Sequence, residues 1–142
     1  MKFAEIRTEI KAPHFVFYVK ELLEERFGRG VVESGGLEVV TSLDLNIQTL
    51  AEEVVSQEVE KLKGLNVSNG AVVVLNPKTG EILAMVGSYD YFDINADGNV
   101  NVTLRPRQPG SSIKVVNYAY ALSNVLTAAT IIADSPVTFS VE

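Results

Sequence analysis

Two short apolar runs joined by a turn constrain this chain more than any other feature. Residues 71–75 form one run and residues 82–86 the other, with Asn76-Pro77-Lys78-Thr79-Gly80 between them. Proline fixes φ and glycine supplies a left-handed position, so these five residues read as a turn. The sequence therefore predicts a β-hairpin: a buried strand over residues 71–75 and a returning strand over residues 82–86.

Helical segments flank the hairpin. Pro13 suits the first turn of a helix, where a missing N–H costs nothing. Phe15, Val19, Leu22, Leu23 and Arg26 then recur at helical spacing, and Gly28 is the expected stop. The residues before Pro13 show no clean period and read as linker. Leu37, Val39 and Thr41 alternate with Glu38, Val40 and Ser42, which predicts a short strand. Asp44 can cap a helix from Leu45 to Lys63, closed by Gly64. Its apolar stripe is Ile47, Ala51, Val54, Val55 and Leu62. Glu52, Glu53, Gln57 and Glu60 make the solvated side. A long polar loop follows the hairpin over residues 88–110. Loops of that length in compact domains are usually functional or mobile. Another helix is expected from near Ser111, with Val115, Tyr118, Ala119 and Leu122 on one face.

Composition narrows the function classes. The 142 residues fit one domain, and 46% hydrophobic with 21% charged residues is globular rather than disordered. The net charge of −6 argues against a nucleic-acid binder, which needs excess cations to displace phosphate counterions. No run of Lys and Arg points to an anionic membrane surface. The absence of cysteine excludes a disulfide scaffold, a thiolate metal site and a Cys nucleophile. No apolar run approaches the roughly 20 residues of a membrane-spanning helix. The N-terminus lacks the pattern of a signal peptide. As written, the chain is expected to be soluble and without an export address.

Four places carry chemistry-bearing residues. Asp93, Asn95, Asp97 and Gly98 match the opening of a calcium loop, but its twelfth position is Leu104, where a bidentate Glu is needed. A polar turn is the preferred reading. Lys78-Thr79-Gly80 matches the K-T-G triplet of penicillin-interacting serine enzymes, yet it falls in a turn and ahead of any S-x-x-K serine. His14 is the only histidine, and it reads as a surface or helix-start residue rather than a catalytic base.

The fourth place is Ser111-Ser112-Ile113-Lys114. Pro109-Gly110 ends a loop, which puts Ser111 at a helix N-terminus. Free backbone N–H groups there favour developing negative charge. Residues three apart share a helical face, so the Lys114 amine can reach the Ser111 hydroxyl. A lysine made neutral by its surroundings can take that proton and activate the serine without histidine. The plain alternative is a serine N-cap followed by a surface lysine.

The wider context resolves this choice by resemblance. The stretch from Arg105 through Pro109-Gly110-Ser111 to Lys114 closely resembles the nucleophile segment of class A penicillin-binding proteins, the bifunctional peptidoglycan synthases. Gly36-Leu37-Glu38-Val39-Val40-Thr41-Ser42-Leu43-Asp44, with Gln48 and Ala51-Glu52 after it, looks like their entry into the transpeptidase domain. Asn76-Pro77-Lys78-Thr79-Gly80 with the strand that follows is similar to their first hairpin. Ala12-Pro13-His14-Phe15-Val16 resembles the linker behind their glycosyltransferase domain. Four segments stand in the family's order. Ile113 and Val115 depart from it, where the family usually has Phe and Pro.

The resemblance implies an α+β fold, a partial version of the transpeptidase fold shared with serine β-lactamases: a hairpin plus flanking helices. Residues 1–36 would be linker and helix, and residues 37–142 the N-terminal part of the transpeptidase domain. The S-x-N motif and the strand with the functional K-T-G are not found in this chain, so it looks like a fragment. Ser111 would be the nucleophile and Lys114 the general base. Their substrate would be the D-Ala–D-Ala end of a peptidoglycan stem peptide, and β-lactams would acylate the same serine. No metal or organic cofactor is implied. The parent protein would sit at the cell membrane, on its extracytoplasmic face. The isolated chain is expected to be inactive or nearly so, and to self-associate through an uncovered sheet face or edge. A non-catalytic binding or assembly module of the same shape is the alternative.

Overall fold

The computed structural model describes residues 10–136 and 138. The linker expected before Pro13 lies outside the described residues over positions 1–9. The described residues up to Arg105 form one compact unit, and those from Pro106 form a second.

The first unit is layered on one strand. The antiparallel pair β1 (Val72–Leu75) and β2 (Ile82–Val86) is the predicted hairpin. Its turn closes with the Gly80 N–H donating to the Asn76 carbonyl at 2.8 Å, and Gly80 takes the left-handed φ of 77° that its position requires. Ala84, Met85 and Val86 are all buried, although successive strand residues face opposite ways. Both faces of β2 are therefore covered. On one face Ala84 and Val86 pack with Ala51, Val55 and Val59 of α3 (Leu45–Leu62). On the other, Met85 packs with Ala12 and with Phe15 of α1 (Pro13–Phe27). β1 is exposed on alternate residues instead of buried throughout, because this two-sided cover lies over β2.

Both long helices start as expected. Pro13 opens α1, and Gly28 ends it at φ 86° before the short helix α2 (Arg29–Glu33). The Asp44 carboxylate accepts from the Asn46 and Ile47 N–H groups at 2.8 and 3.2 Å, capping α3. The end of α3 differs. A 3-10 turn over Lys63–Leu65 follows it, and Asn66, not Gly64, takes the left-handed position. Its buried stripe is Gln48, Ala51, Val55 and Val59, while Val54 is half exposed. Val54 sits one position round the helix from the line that meets β2.

The strand expected over residues 37–42 does not form. This segment meets β2 only at its end. There the Ser42 hydroxyl donates to the Ile82 carbonyl at 2.7 Å and the Asp44 N–H to the Leu83 carbonyl at 2.9 Å. Leu83 is the residue skipped in the β1–β2 register, so its carbonyl is left for Asp44. Val40 is 91% exposed, and alternation without a partner edge makes no ladder.

The second unit holds a 3-10 turn over Gly110–Ile113 that runs into α4 (Lys114–Asn124). The helix expected near Ser111 is thus α-helical only from Lys114. Among the described residues, no helix is long and apolar enough to cross a membrane.

Candidate functional site

Gly110, at φ 55°, turns the chain into the 3-10 segment. The Ser112 N–H donates to the Pro109 carbonyl at 3.2 Å, and the Lys114 N–H donates to the Ser111 carbonyl. A 3-10 turn has three residues per turn, so residues three apart stand one above the other. Ser111 and Lys114 therefore project from one side of the same turn, at the start of an 11-residue helix. Both side chains are exposed, and no hydrogen bond joins them among the described residues. The backbone thus puts the two residues on one side of the turn, without the amine–hydroxyl bond through which Lys114 would activate Ser111.

Two of the other three places resolve as local structure. Lys78-Thr79-Gly80 is the hairpin turn; the Lys78 N–H donates to Asn76 Oδ1 and the Thr79 hydroxyl to the Glu81 carboxylate. Asp93 accepts from the Asn95 and Ala96 N–H groups at 3.0 and 3.3 Å, capping a 3-10 turn over Ile94–Ala96. Among the described residues, no three His, Cys, Asp or Glu side chains group in a way that could hold a metal ion.

His14 stands at the start of α1, as one of its two expected readings has it, but it is not a surface residue. It is 5% exposed, and its Nε2 lies 2.8 Å from the Ser88 hydroxyl oxygen. The Ser88 hydroxyl donates its one proton to the Gly98 carbonyl at 2.6 Å, so His14 Nε2–H is the donor to Ser88. Tyr91 meets the imidazole edge-on at 4.9 Å. Burial pushes the imidazole below its ordinary pKa, with the Gly98 carbonyl opposing in part. A cavity of about 690 Å3 opens beside it, bounded by the start of α1, by α3, by the end of β2 and by residues 88–92.

Gln48 is a second polar residue that spacing did not mark. It is 3% exposed, its Oε1 accepts from the Met85 N–H at 2.8 Å, and its Nε2 donates to the Met85 carbonyl at 3.2 Å. A glutamine in line with Ala51 and Val55 is the one signal that marks it, since a polar residue on a buried stripe needs a polar partner.

Comparison with known proteins gives a coherent result. The penicillin-binding protein transpeptidase domain matches residues 70–141. The chain is 32% identical over 134 residues to penicillin-binding protein 2D of Bacillus subtilis (strain 168), covering 93% of this chain and 18% of that protein. It is 43% identical over 72 residues to penicillin-binding protein 1A of Rickettsia bellii (strain RML369-C), covering 51% of this chain and 9% of that protein. It is also 43% identical over 68 residues to penicillin-binding protein 1A of Neisseria flavescens, covering 48% and 8%. The chain thus spans less than a fifth of the length of these relatives. No solved structure matches it.

Proposed function

The chain belongs to the penicillin-binding protein transpeptidase family, and from that premise we propose that it carries the nucleophile segment of a serine D,D-transpeptidase, with Ser111 as nucleophile and Lys114 as general base. The observation that carries this reading is the turn itself. Ser111 and Lys114 share one side of a 3-10 segment at the head of α4, inside the matched residues.

In this reading the Lys114 amine takes the proton as Ser111 Oγ bonds to the carbonyl carbon of the penultimate D-Ala. The C–N bond to the terminal D-Ala breaks, and the proton passes to the departing amine. An amino group from a neighbouring stem peptide then attacks the ester and frees Ser111. The Ser111 N–H would be one donor to the oxyanion. A penicillin would open its ring on the same hydroxyl and lose no leaving group, so the adduct would keep the whole drug mass.

The fold read here is part of the α+β transpeptidase fold, with residues 37–142 as its N-terminal part and residues 1–36 as linker and helix. The parent protein would work at the extracytoplasmic face of the cell membrane. The 142-residue chain by itself should be nearly inactive, because it holds neither S-x-N nor a strand-borne K-T-G. One missing oxyanion donor alone costs about 2.7–4 kcal/mol of transition-state stabilisation.

Intact-mass spectrometry after incubation with benzylpenicillin tests both statements. A chain lengthened to include the S-x-N and K-T-G segments should gain one drug mass, and Ser111→Ala should abolish it. An adduct that survives Ser111→Ala overturns the assignment of the nucleophile. Rapid, saturable labelling of the 142-residue chain overturns its inactivity.

A further inference from the structure

We propose that His14 is a proton-operated latch: neutral, it ties the start of α1 to the loop after β2, and protonated, it lets residues 88–101 come away from α1 while the hairpin and α3 stay folded. The inference is independent of the transpeptidase chemistry and uses none of its residues.

The geometry puts a proton on Nε2 and leaves Nδ1 without a partner. The bonds run in one direction, from His14 Nε2–H to the Ser88 oxygen and from the Ser88 hydroxyl to the Gly98 carbonyl. That chain requires Nε2 to carry a proton in either charge state of the ring, and among the described residues Nδ1 makes no hydrogen bond, so a proton added there finds no acceptor. Nδ1 is packed tightly: a methyl group added at Gly87 would lie 2.7 Å from it and would overlap the Asn101 side-chain oxygen. The same Asn101 oxygen already accepts from the Thr103 N–H at 3.2 Å and hydroxyl at 2.6 Å. A second imidazole proton thus enters a crowded, buried place along with a full charge.

No countercharge waits for it. Lys11, Glu52, Glu53 and Asp90, with Tyr89, stand round the cavity on one side of the ring. Tyr18, Glu21 and Arg105, with Tyr91, line the hollow on the other. None of these acids pairs with His14 among the described residues; its one polar side-chain partner is the Ser88 hydroxyl. Burial lowers the imidazole pKa accordingly, opposed only by the Gly98 carbonyl.

The consequence falls on the loop because His14 is its polar tie to α1. Among the described residues, no residue of α1 other than His14 makes a hydrogen bond to this loop. The remaining contacts are aromatic, Tyr91 edge-on to His14 and stacked on Phe17 at 5.8 Å. The hairpin and α3 are joined separately through their own core and through Gln48.

The sign follows from the direction of the shift. The closed latch binds a proton less well than the released one. It is therefore fully stable above the ordinary imidazole pKa of 6.5 and weakens as pH falls below that value towards the lowered one. Its opening equilibrium should rise by up to about tenfold per pH unit in that window.

The test is NMR on the 142-residue chain, whose single histidine gives a single imidazole signal. Amide-exchange protection at Gly98 and Val102 is followed from about pH 8 to about pH 5, with Ala84 in β2 as reference. Loop protection should fall by up to about tenfold per pH unit as His14 takes its proton, with Ala84 unchanged. His14→Gln keeps a donor for Ser88 but does not titrate, and its loop protection should stay flat. Flat protection in the native chain overturns the latch, as does an equal fall in His14→Gln. Should that variant not fold, the native chain decides: a loop transition that does not coincide with imidazole titration overturns the proposal.

Discussion

Gly87 shows how little room single positions leave in the first unit. A methyl group there would overlap the Asn101 side chain and press on the imidazole of His14. Gly87→Ala should therefore lower stability by about 1–3 kcal/mol, the usual cost of overpacking, read as a shift of the urea midpoint. An unchanged midpoint would mean that the His14 and Asn101 side chains yield freely. Asp44 is a second such position. Asp44→Ala removes two cap bonds from the head of α3 and should cost about 1 kcal/mol in the same measurement. Asp44, Pro13, Gly28 and Gly80 were legible in the sequence because each acts on its own neighbours. His14 was not. Its partner Ser88 is 74 positions away, and only the folded chain brings the two together.

Among the elements, the hairpin and the two long helices follow from local pattern, and the errors lie where pattern depends on a distant partner. Residues 37–42 alternate like a strand but reach the sheet only through Ser42 and Asp44. The apolar periodicity predicts a stripe through Val54 in α3, whereas the structure runs it through Gln48, Ala51, Val55 and Val59. Gln48 enters the sequence reading only through the resemblance and not through the stripe, yet it makes both main-chain bonds to Met85. Gln48→Leu should strip partners from two buried groups and cost about 1–3 kcal/mol for each left unpaired. Hydrogen exchange reads this directly. The Met85 N–H should exchange slowly in the native chain and quickly in Gln48→Leu. Val73 lies opposite Met85 in the register. The ladder's alternation turns its N–H away from β2, so it should exchange quickly in both.

At the scale of the whole molecule, the two units differ in how much they bury. The first has two apolar clusters around β2. In the second, α4 buries no residue; Val115, Val116, Tyr118, Tyr120 and Leu122 are all more than half exposed. Apolar surface of this kind drives association. Sedimentation velocity should show the chain's average mass rising with concentration, and Tyr118→Glu with Leu122→Glu should reduce the rise. A concentration-independent monomer would remove the expected self-association. The family was legible from four ordered segments. The proposed latch rests on a buried contact between residues 74 positions apart, which no linear motif spells out.

The Gln48 clasp on Met85 gives the sheet a direction of growth. With Ser42, Asp44 and Gln48 occupying the main-chain groups of Ile82, Leu83 and Met85, the outer side of β2 is blocked to a further strand. Only the outer side of β1 can template one, and an incoming strand must register on Val73. The hairpin is thus an end piece. Strands from this polypeptide or another can be added to it on one side only, so the order of strands in any larger sheet built on it is fixed from this end.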